Sequence, residues 1–252
     1  VVAWRTGQLP SWGRDGERGG AAVGGARGGR VYATAAGQRA DVLLPDGTRV
    51  RLAPLSRLRL AADFGAPRRA VTLVGEAYFD VVHDTGRPFA VRVGRTEAVD
   101  LGTRFAVRGY ADEGTVQVVV REGAVALGGV GRLGPGDVGR LSARGRPSVE
   151  RGIDADSALG WLAGRLVFHD APLAEVVREL RRWYDVEVAY DDPALGALPF
   201  TGALHEIPAP EAVELVAAAL GLRPRADGAR FVLERVAGRT PPPARSGAPP
   251  RA

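Results

Sequence analysis

Two short stretches of the chain hold residue types that could carry out chemistry. The first, LVGEAYFDV at 73–81, places Glu76 and Asp80 four residues apart, and glycosidases use paired carboxylates for general acid–base catalysis. In a strand these acids would lie about 13 Å apart, whereas a glycosidase pair is separated by about 5 to 9.5 Å. We therefore predict a solvated or arginine-paired strand face and no catalytic dyad. The outward residues would be Glu76, Tyr78 and Asp80, and the inward ones Ala77, Phe79 and Val81.

The second stretch is the Gly102–Thr103 bond. A threonine hydroxyl can attack the carbonyl carbon that precedes it, which converts an amide into an ester that water hydrolyses. A glycine before the threonine removes the hindrance of a Cβ and tolerates a strained backbone. The same dipeptide at a strand edge also occurs as an ordinary turn, so the residues alone leave self-cleavage and a turn open.

Other patterns of catalysis or metal binding do not occur in the sequence. His83, His169 and His205 share no metal-ligand spacing, and the chain has no cysteine. There is no GxSxG motif, and the glycine-rich stretch 19–29 lacks the Lys-Ser/Thr end of a phosphate-binding loop. We predict that the protein binds no metal or cofactor and turns over no substrate.

The basic character of the chain does not indicate nucleic-acid binding. All 34 basic residues are arginine, and Lys, Asn, Cys and Met are absent, which is the pattern of a GC-rich gene. The excess charge lies at the two ends, because residues 31–236 contain 26 arginines and 27 acidic residues. No basic stripe interleaved with aromatic residues occurs there. The Val-Val start and the absence of Met predict a fragment or a processed form that has lost any upstream targeting or anchoring segment.

The elements that position these residues are predicted to be strands up to residue 142. Short runs alternate polar and apolar residues, as half-buried strands do. These runs are 48–52, 57–60, 89–93 and 104–108, and 116–121 is more continuously apolar. Glycine in Pro45-Asp46-Gly47 and Glu122-Gly123 suits tight turns between strands. We predict an all-β sandwich or roll of about ten short strands.

From residue 161 the pattern changes to strands that alternate with helices. Apolar residues at 173, 176, 177, 180 and 184 repeat with helical spacing, and Asp170 is predicted to cap this helix. The other, polar side of the helix is predicted to hold Glu175, Arg178, Glu179, Arg181 and Arg182. A second helix is predicted from about Pro210 to Gly221. The fold class is therefore mainly β, an all-β domain followed by a small α+β domain of strand–helix–strand repeats. The predicted parts are a flexible lead-in (1–30), the all-β domain (31–142), a linker (143–160), the α+β domain (161–236) and a disordered tail (237–252).

Several longer motifs occur in an order that resembles a known family. They are TAAGQ (34–38), LPDGTRV (44–50), LVGEAYFDV (73–81), RPFAV (87–91), LGTRF (101–105) and EGAV (122–125). This ordered set resembles the periplasmic part of the ferric-citrate regulator (FecR) family, the membrane-anchored regulators of extracytoplasmic-function (ECF) sigma factors. The later part, with Trp161, Gly164, Phe168 and Pro172-Leu173, resembles the domain that follows in that family. That domain is similar to the signalling domain of TonB-dependent outer-membrane transducers.

The resemblance, which spans about residues 30–236, implies a function and a location. It implies a periplasmic signal-sensing module on the inner membrane, whose single-pass anchor and cytoplasmic sigma-binding segment lie upstream and are missing here. The module would relay the state of a TonB-dependent transporter, in iron uptake, to an ECF sigma factor. Some members of the family cut themselves at a Gly-Thr bond in this motif, which makes Gly102 and Thr103 the candidate self-cleavage residues.

The α+β domain is predicted to bind the transducer's signalling domain through an exposed strand edge. The strands proposed for this are 186–190 and 200–204, with candidate residues Val186, Val188, Tyr190, Phe200, Gly202 and Leu204; the alternative is that both strands are interior. A second hypothesis for the whole chain is a freestanding envelope adhesion or glycan-binding protein without a sigma factor. An upstream apolar span of about 20 residues would favour the regulator, and a cleavable signal peptide would favour the alternative.

Overall fold

The structure is a computed structural model that describes residues 24–26, 29–65, 68–100, 102–228 and 230–236. These residues form two compact units. The β unit contains the described residues up to 34 together with 39–163, and the α+β unit contains 35–38 and 164–236. The predicted tail lies outside the described residues, as does the predicted lead-in up to residue 23. The rest of that lead-in is corrected, because residues 24–26 and 29–30 lie in strands.

The described strands of the β unit join edge to edge in one 14-stranded, curled sheet. They are β1 (Gly24–Ala26), β2 (Gly29–Ala33), β3 (Ala40–Leu43), β4 (Arg49–Leu52), β5 (Arg57–Leu60), β6 (Arg69–Asp80), β7 (Phe89–Val93), β8 (Thr96–Asp100), β9 (Arg104–Gly109), β10 (Thr115–Glu122), β11 (Val125–Leu127), β12 (Gly131–Leu133), β13 (Val138–Ser142) and β14 (Pro147–Glu150). The predicted mainly β fold is confirmed.

The sheet curls around β6, which has 12 residues and changes partners at its middle. Its first half, up to Val74, pairs with β5 and, in parallel, with β7. Its second half, from Gly75, pairs with β4 and β9, both antiparallel. Because one strand belongs to both halves of the sheet, the two halves enclose a single apolar core.

Gly75 makes this change of partners sterically feasible. Its φ is +105°, a conformation that residues with a Cβ rarely adopt. A Cβ at this position would lie 2.4 Å from Oγ of Ser56, and that hydroxyl accepts a hydrogen bond from the Glu76 N–H at 2.9 Å. A side chain would therefore strain the backbone and displace Ser56 as well.

Gly75→Ala is expected to destabilise the chain more than Gly131→Ala does. Gly131 has a similar φ of +113° but nothing within 4 Å of the added methyl group, so its replacement costs backbone strain alone, about 1–3 kcal/mol. The contact with Ser56 should add about 1–3 kcal/mol. Urea unfolding of both variants in a Thr103→Ala background measures the difference, and equal midpoints would contradict it.

The core between the two halves of the sheet contains the inward residues predicted for β6. Phe79 is fully buried and stacks on Phe105 of β9, with ring centroids 5.3 Å apart. It also contacts Phe89 of β7, with centroids 5.7 Å apart. Ala77 and Val81 are buried as well, so the prediction for this face is confirmed.

Of the two alternatives predicted for the outward face of β6, a solvated or an arginine-paired face, the structure shows arginine pairing at Glu76 and Asp80. Glu76 and Tyr78 are buried, with 6% and 2% of their surface exposed, and are not solvated. Glu76 is covered by its partner Arg108, and near Tyr78 the chain returns as a short helix, α1 (Ala155–Ala158), and a 3-10 turn (Gly160–Ala163). Arg51, the β4 partner of Tyr78, donates to the Leu162 carbonyl at 3.4 Å.

The predicted linker at 143–160 is also corrected. Strand β14 lies inside it and pairs with β13 from Val138↔Glu150 to Leu141↔Pro147. Helix α1 follows and is tied to β10 by the ion pair between Asp156 and Arg121, at 2.9 Å. The polar composition of this segment indicated a linker, but its residues belong to the β unit.

The α+β unit follows the predicted alternation. Its elements are β15 (Arg165–Pro172), α2 (Leu173–Tyr184), β16 (Glu187–Tyr190), β17 (Pro199–His205), α3 (Ala209–Ala219), β18 (Leu222–Asp227) and β19 (Arg230–Arg235). Strands β15 and β17 form one sheet, and β16, β19 and β18 form another in that order. Strand β18 is the element that the sequence pattern missed.

Two local predictions for α2 are wrong. Asp170 does not cap the helix, because the N-cap is Pro172 and no side chain bonds to the helix start. Glu179 and Arg182, placed on the polar side by the helical spacing, are buried and form an ion pair at 2.6 Å. The Trp183 indole donates to Glu179 at 3.1 Å, and the Gly37 N–H donates to the Arg182 carbonyl at 2.7 Å.

Candidate functional site

The Gly102–Thr103 bond lies in the connection between β8 and β9, inside the β unit. The Thr103 carbonyl accepts a hydrogen bond from the Val81 N–H at 3.2 Å, which ties this connection to the end of β6. Arg104, the next residue, pairs with Asp80 in the β6–β9 ladder. The bond is therefore held at the edge of a buried ladder.

Glycine is required at both sides of this peptide group. Gly102 has a φ of +99°, and a Cβ there would lie 2.3 Å from Nδ1 of His83. Gly123 packs against the same peptide, since a Cβ there would lie 2.3 Å from the carbonyl oxygen of Gly102. The carbonyl to be attacked is thus enclosed by close backbone contacts, in a conformation that favours glycine.

The hydroxyl of Thr103 is buried and has no hydrogen-bond partner. Only 4% of the residue is exposed, and its Oγ1 contacts no donor or acceptor within bonding distance. Other buried threonines of the unit are satisfied: Oγ1 of Thr34 donates to the Ala53 carbonyl at 2.7 Å, and that of Thr48 to Asp46 at 2.9 Å. An unsatisfied buried hydroxyl is costly, so the structure holds a nucleophile that no hydrogen bond restrains.

Asp100 is a second buried polar residue with an unsatisfied atom beside this bond. Only 4% of it is exposed, and its Oδ1 has no hydrogen-bond partner. Burial raises the pKa of Asp100 to about 6, although hydrogen bonding from the Gly102 and Thr103 amides and the charges of Arg69 and His83 act to lower it. The carboxyl group is therefore poised to gain or lose a proton near neutral pH.

The sequence reasoning singled out the bond but missed Asp100 and the position of His83. One signal for Asp100 was present, because alternation along β8 puts it on the same face as Ala98, which is buried. A carboxylate on the apolar face of a strand is unusual and points to function or pairing. His83 was considered only as a metal ligand, and nothing local to it predicts contact with Gly102.

The two acids of LVGEAYFDV do not converge. Asp80 forms an ion pair with Arg104 at 3.1 Å, and Glu76 forms one with Arg108 at 3.0 Å, so each acid pairs with a different arginine of β9. Arg108 also bonds to Glu113, at 2.6 Å. The predicted pairing with arginines of a neighbouring strand is confirmed. Within the part of the chain that the structure describes, no group of three or more His, Cys, Asp or Glu side chains is placed to hold a metal ion.

Both strands predicted to offer an edge lie at the edge of their sheets. Among the described strands, β16 pairs only with β19, and β17 pairs only with β15. Val186, Val188, Phe200 and Leu204 bury their side chains, while Tyr190 and Gly202 are half-buried. A partner at these strands would therefore contact main-chain groups more than apolar side chains.

One hydrogen bond shows toward which side the N–H groups of β16 point. The Asp191 N–H donates to the Leu233 carbonyl of β19 at 3.2 Å. Since successive N–H groups of a strand point to opposite sides, the Ala189 N–H also points toward β19. Those of Val188 and Tyr190 point the other way, toward the open edge.

Two family models match the chain, one in each of its two units. The family model described as "FecR protein" matches residues 30–126, and the model described as "FecR, C-terminal" matches residues 165–230. Together they span more than half of the chain, in the expected order. The chain belongs to the FecR family. This membership agrees with the prediction of a regulatory protein without enzymatic turnover.

Two crystal structures of proteins from Parabacteroides distasonis resemble this FecR chain, and each is described as a "putative anti-sigma factor". One is 29% identical with a TM-score of 0.75, and the other is 28% identical with a TM-score of 0.76. Each alignment covers 82% of this chain and 99% of the other. No match is found among curated proteins. Within the described residues, no helix is both long and apolar enough to cross a membrane.

Proposed function

We propose that this FecR chain is the periplasmic, signal-receiving part of a membrane-anchored anti-sigma regulator. It receives the state of a TonB-dependent outer-membrane transducer, in iron uptake, and relays it to an ECF sigma factor that a cytoplasmic segment binds. The observation that carries this proposal is the pair of family matches, in order, over both units. The similarity to two proteins described as anti-sigma factors supports it.

The proposed relay includes one covalent event, a single self-cleavage at Gly102–Thr103. Three features described above support it: the positive φ of Gly102, the unsatisfied buried hydroxyl of Thr103, and the tight enclosure of the scissile carbonyl. Because the chain would cut itself once and then be altered, this is processing and not turnover.

The α+β unit is proposed to receive the transducer by adding a strand to its sheet. The open edge of β16 presents the N–H groups of Val188 and Tyr190, which an extended segment of the partner could pair with. The edge of β17 is the second candidate surface.

Val188→Pro is expected to weaken binding of a transducer's isolated signalling domain by about tenfold or more. The proline removes the N–H that points to the open edge of β16, while the hydrogen bonds between β16 and β19 remain. The measurement is a titration of the full chain with signalling domains of TonB-dependent transducers from the same genome. Val188→Ala is the control, because it also removes buried side-chain atoms but keeps the N–H. Equal affinity of the proline variant and wild type would reject the β16 edge, and the absence of any complex would contradict the proposed relay.

A further inference from the structure

The connection from β8 to β9 holds two buried oxygen atoms without hydrogen-bond partners, and they flank one peptide bond. They are Oδ1 of Asp100 and Oγ1 of Thr103. Backbone hydrogen bonding to Asp100 from Gly102 and Thr103, two and three residues later, is what an ordinary Asx turn provides. Such a turn accounts for one carboxylate oxygen. It does not account for the second, or for a threonine hydroxyl left unsatisfied in the same place.

We propose that Asp100 is the proton-transfer residue for cleavage at Gly102–Thr103. This inference rests on the proposed self-cleavage and assigns a catalytic residue to it. The Thr103 amide interacts with the Asp100 carboxylate, and Oγ1 is separated from that nitrogen by three covalent bonds. Oγ1 and Oδ1 are not bonded to each other in this conformation, but neither has a partner, so rotating the Thr103 side chain toward Asp100 would break no existing hydrogen bond.

The proposed step conserves atoms and charge. Oγ1 of Thr103 attacks the Gly102 carbonyl carbon while its proton passes to the Asp100 carboxylate, and a C–O bond forms. The C–N bond then breaks as Asp100 returns that proton to the nitrogen, which becomes a free amine. The product is an ester between Gly102 and the Thr103 side chain, and Asp100 is regenerated. Water hydrolyses the ester to a carboxylate on Gly102 and a free hydroxyl on Thr103.

His83 is the other titratable group that touches this bond, but it lies on a different side. Its Nδ1 faces the α-carbon of Gly102, where a Cβ would lie 2.3 Å away. Arg69 and His83 are the charged groups that act on Asp100 among the described residues. His83 closes the space behind Gly102, whereas Asp100 is the group whose charge is stabilised by the Thr103 amide, the nitrogen that must be protonated.

Asp100→Asn is expected to slow cleavage by about 100-fold or more, because a positioned general base contributes about 10²–10⁴-fold. The full chain is dissolved in urea as uncut precursor, refolded by dilution, and sampled over time on denaturing gels. Asp137→Asn is the matched control, since Asp137 is also a buried carboxylate, accepting from the Gly134 N–H at 2.9 Å and paired with Arg151 at 3.2 Å. It should cleave at the wild-type rate.

The pH dependence of the wild-type cleavage rate tests the proposal even if the Asp100→Asn variant folds poorly. A carboxylate must be ionised to accept a proton, so the wild-type rate should rise with pH through about 6 and level off above it. His83→Gln should retain this rise, and Asp100→Asn should lose it. A flat wild-type profile, or an Asp100→Asn rate within threefold of wild type, would overturn the role of Asp100 while leaving self-cleavage intact. A wild-type chain that stays uncut would overturn both proposals.

Discussion

Thr103→Ala is expected to abolish cleavage completely, leaving one band on a denaturing gel where the wild type gives fragments 1–102 and 103–252. The variant lacks the oxygen that attacks the Gly102 carbonyl, and an alanine side chain supplies no nucleophile in its place. Thr103→Ser should still cleave, because it keeps the nucleophile. Hydroxylamine should accelerate cleavage of the wild type by attacking the ester.

The control for Thr103 is Thr34→Ala. Thr34 is also a buried threonine of the β unit, but its hydroxyl bonds to the carbonyls of Ala53 and Ser56 at 2.7 and 3.2 Å. Its loss should lower stability without preventing the cut. Mass spectrometry of the second fragment should give Thr103 as its first residue. A wild-type chain without this fragment, or a Thr103→Ala chain that yields it, would contradict the proposed reaction.

Arg69→Met is expected to lower the free energy of unfolding by about 3–5 kcal/mol, because it removes one partner of a buried ion pair. The Arg69 side chain is 2% exposed and donates to Asp46 at 2.9 Å and to the carbonyls of Val82 and Arg87, each at 2.7 Å. Its loss leaves a carboxylate that is 11% exposed without its cation, and two carbonyls without these donors.

Arg92→Met is the comparison for Arg69. Arg92 pairs with Glu97 at 3.3 Å, but the two side chains are 54% and 32% exposed, so its loss should cost no more than about 1 kcal/mol. Urea unfolding in a Thr103→Ala background keeps the chain in one piece for both measurements. The double variant Asp46→Asn, Arg69→Met should recover part of the loss. Equal unfolding midpoints for the two arginine variants would contradict the prediction.

The strands were predictable because their signal is local. Alternation located β5 at 57–60 and β7 at 89–93 with their observed bounds, and β4 and β9 to within a residue; the continuous apolar run at 116–121 located β10 as closely. The same alternation showed that β6 has two faces but not what covers the outer one. Tyr78 is buried next to a segment about 80 residues later in the chain, and Glu76 is buried against Arg108, and no pattern within a strand reports such contacts.

The residues of the candidate site also differ in whether the sequence could predict their roles. Gly102 and Thr103 are adjacent in sequence, so a chemical argument and a family motif found them directly. His83 reaches Gly102 only through the folded connection after β6. The burial of Asp100 was readable from strand alternation, but its unsatisfied oxygen was not. A residue's type is visible in a sequence, whereas the absence of a hydrogen-bond partner exists only in the fold.

The partner change along β6 has a mechanical consequence. Of the ladders between described strands, two join a strand before Gly102–Thr103 to one after it: β6 with β9, from Gly75↔Gly109 to Asp80↔Arg104, and β8 with β11, from Asp100↔Val125 to Ala98↔Leu127. In an uncut chain, the covalent backbone keeps the two halves joined even if these ladders break under tension. After a cut, the same pull would load these two ladders, and the halves would part by shear between strands.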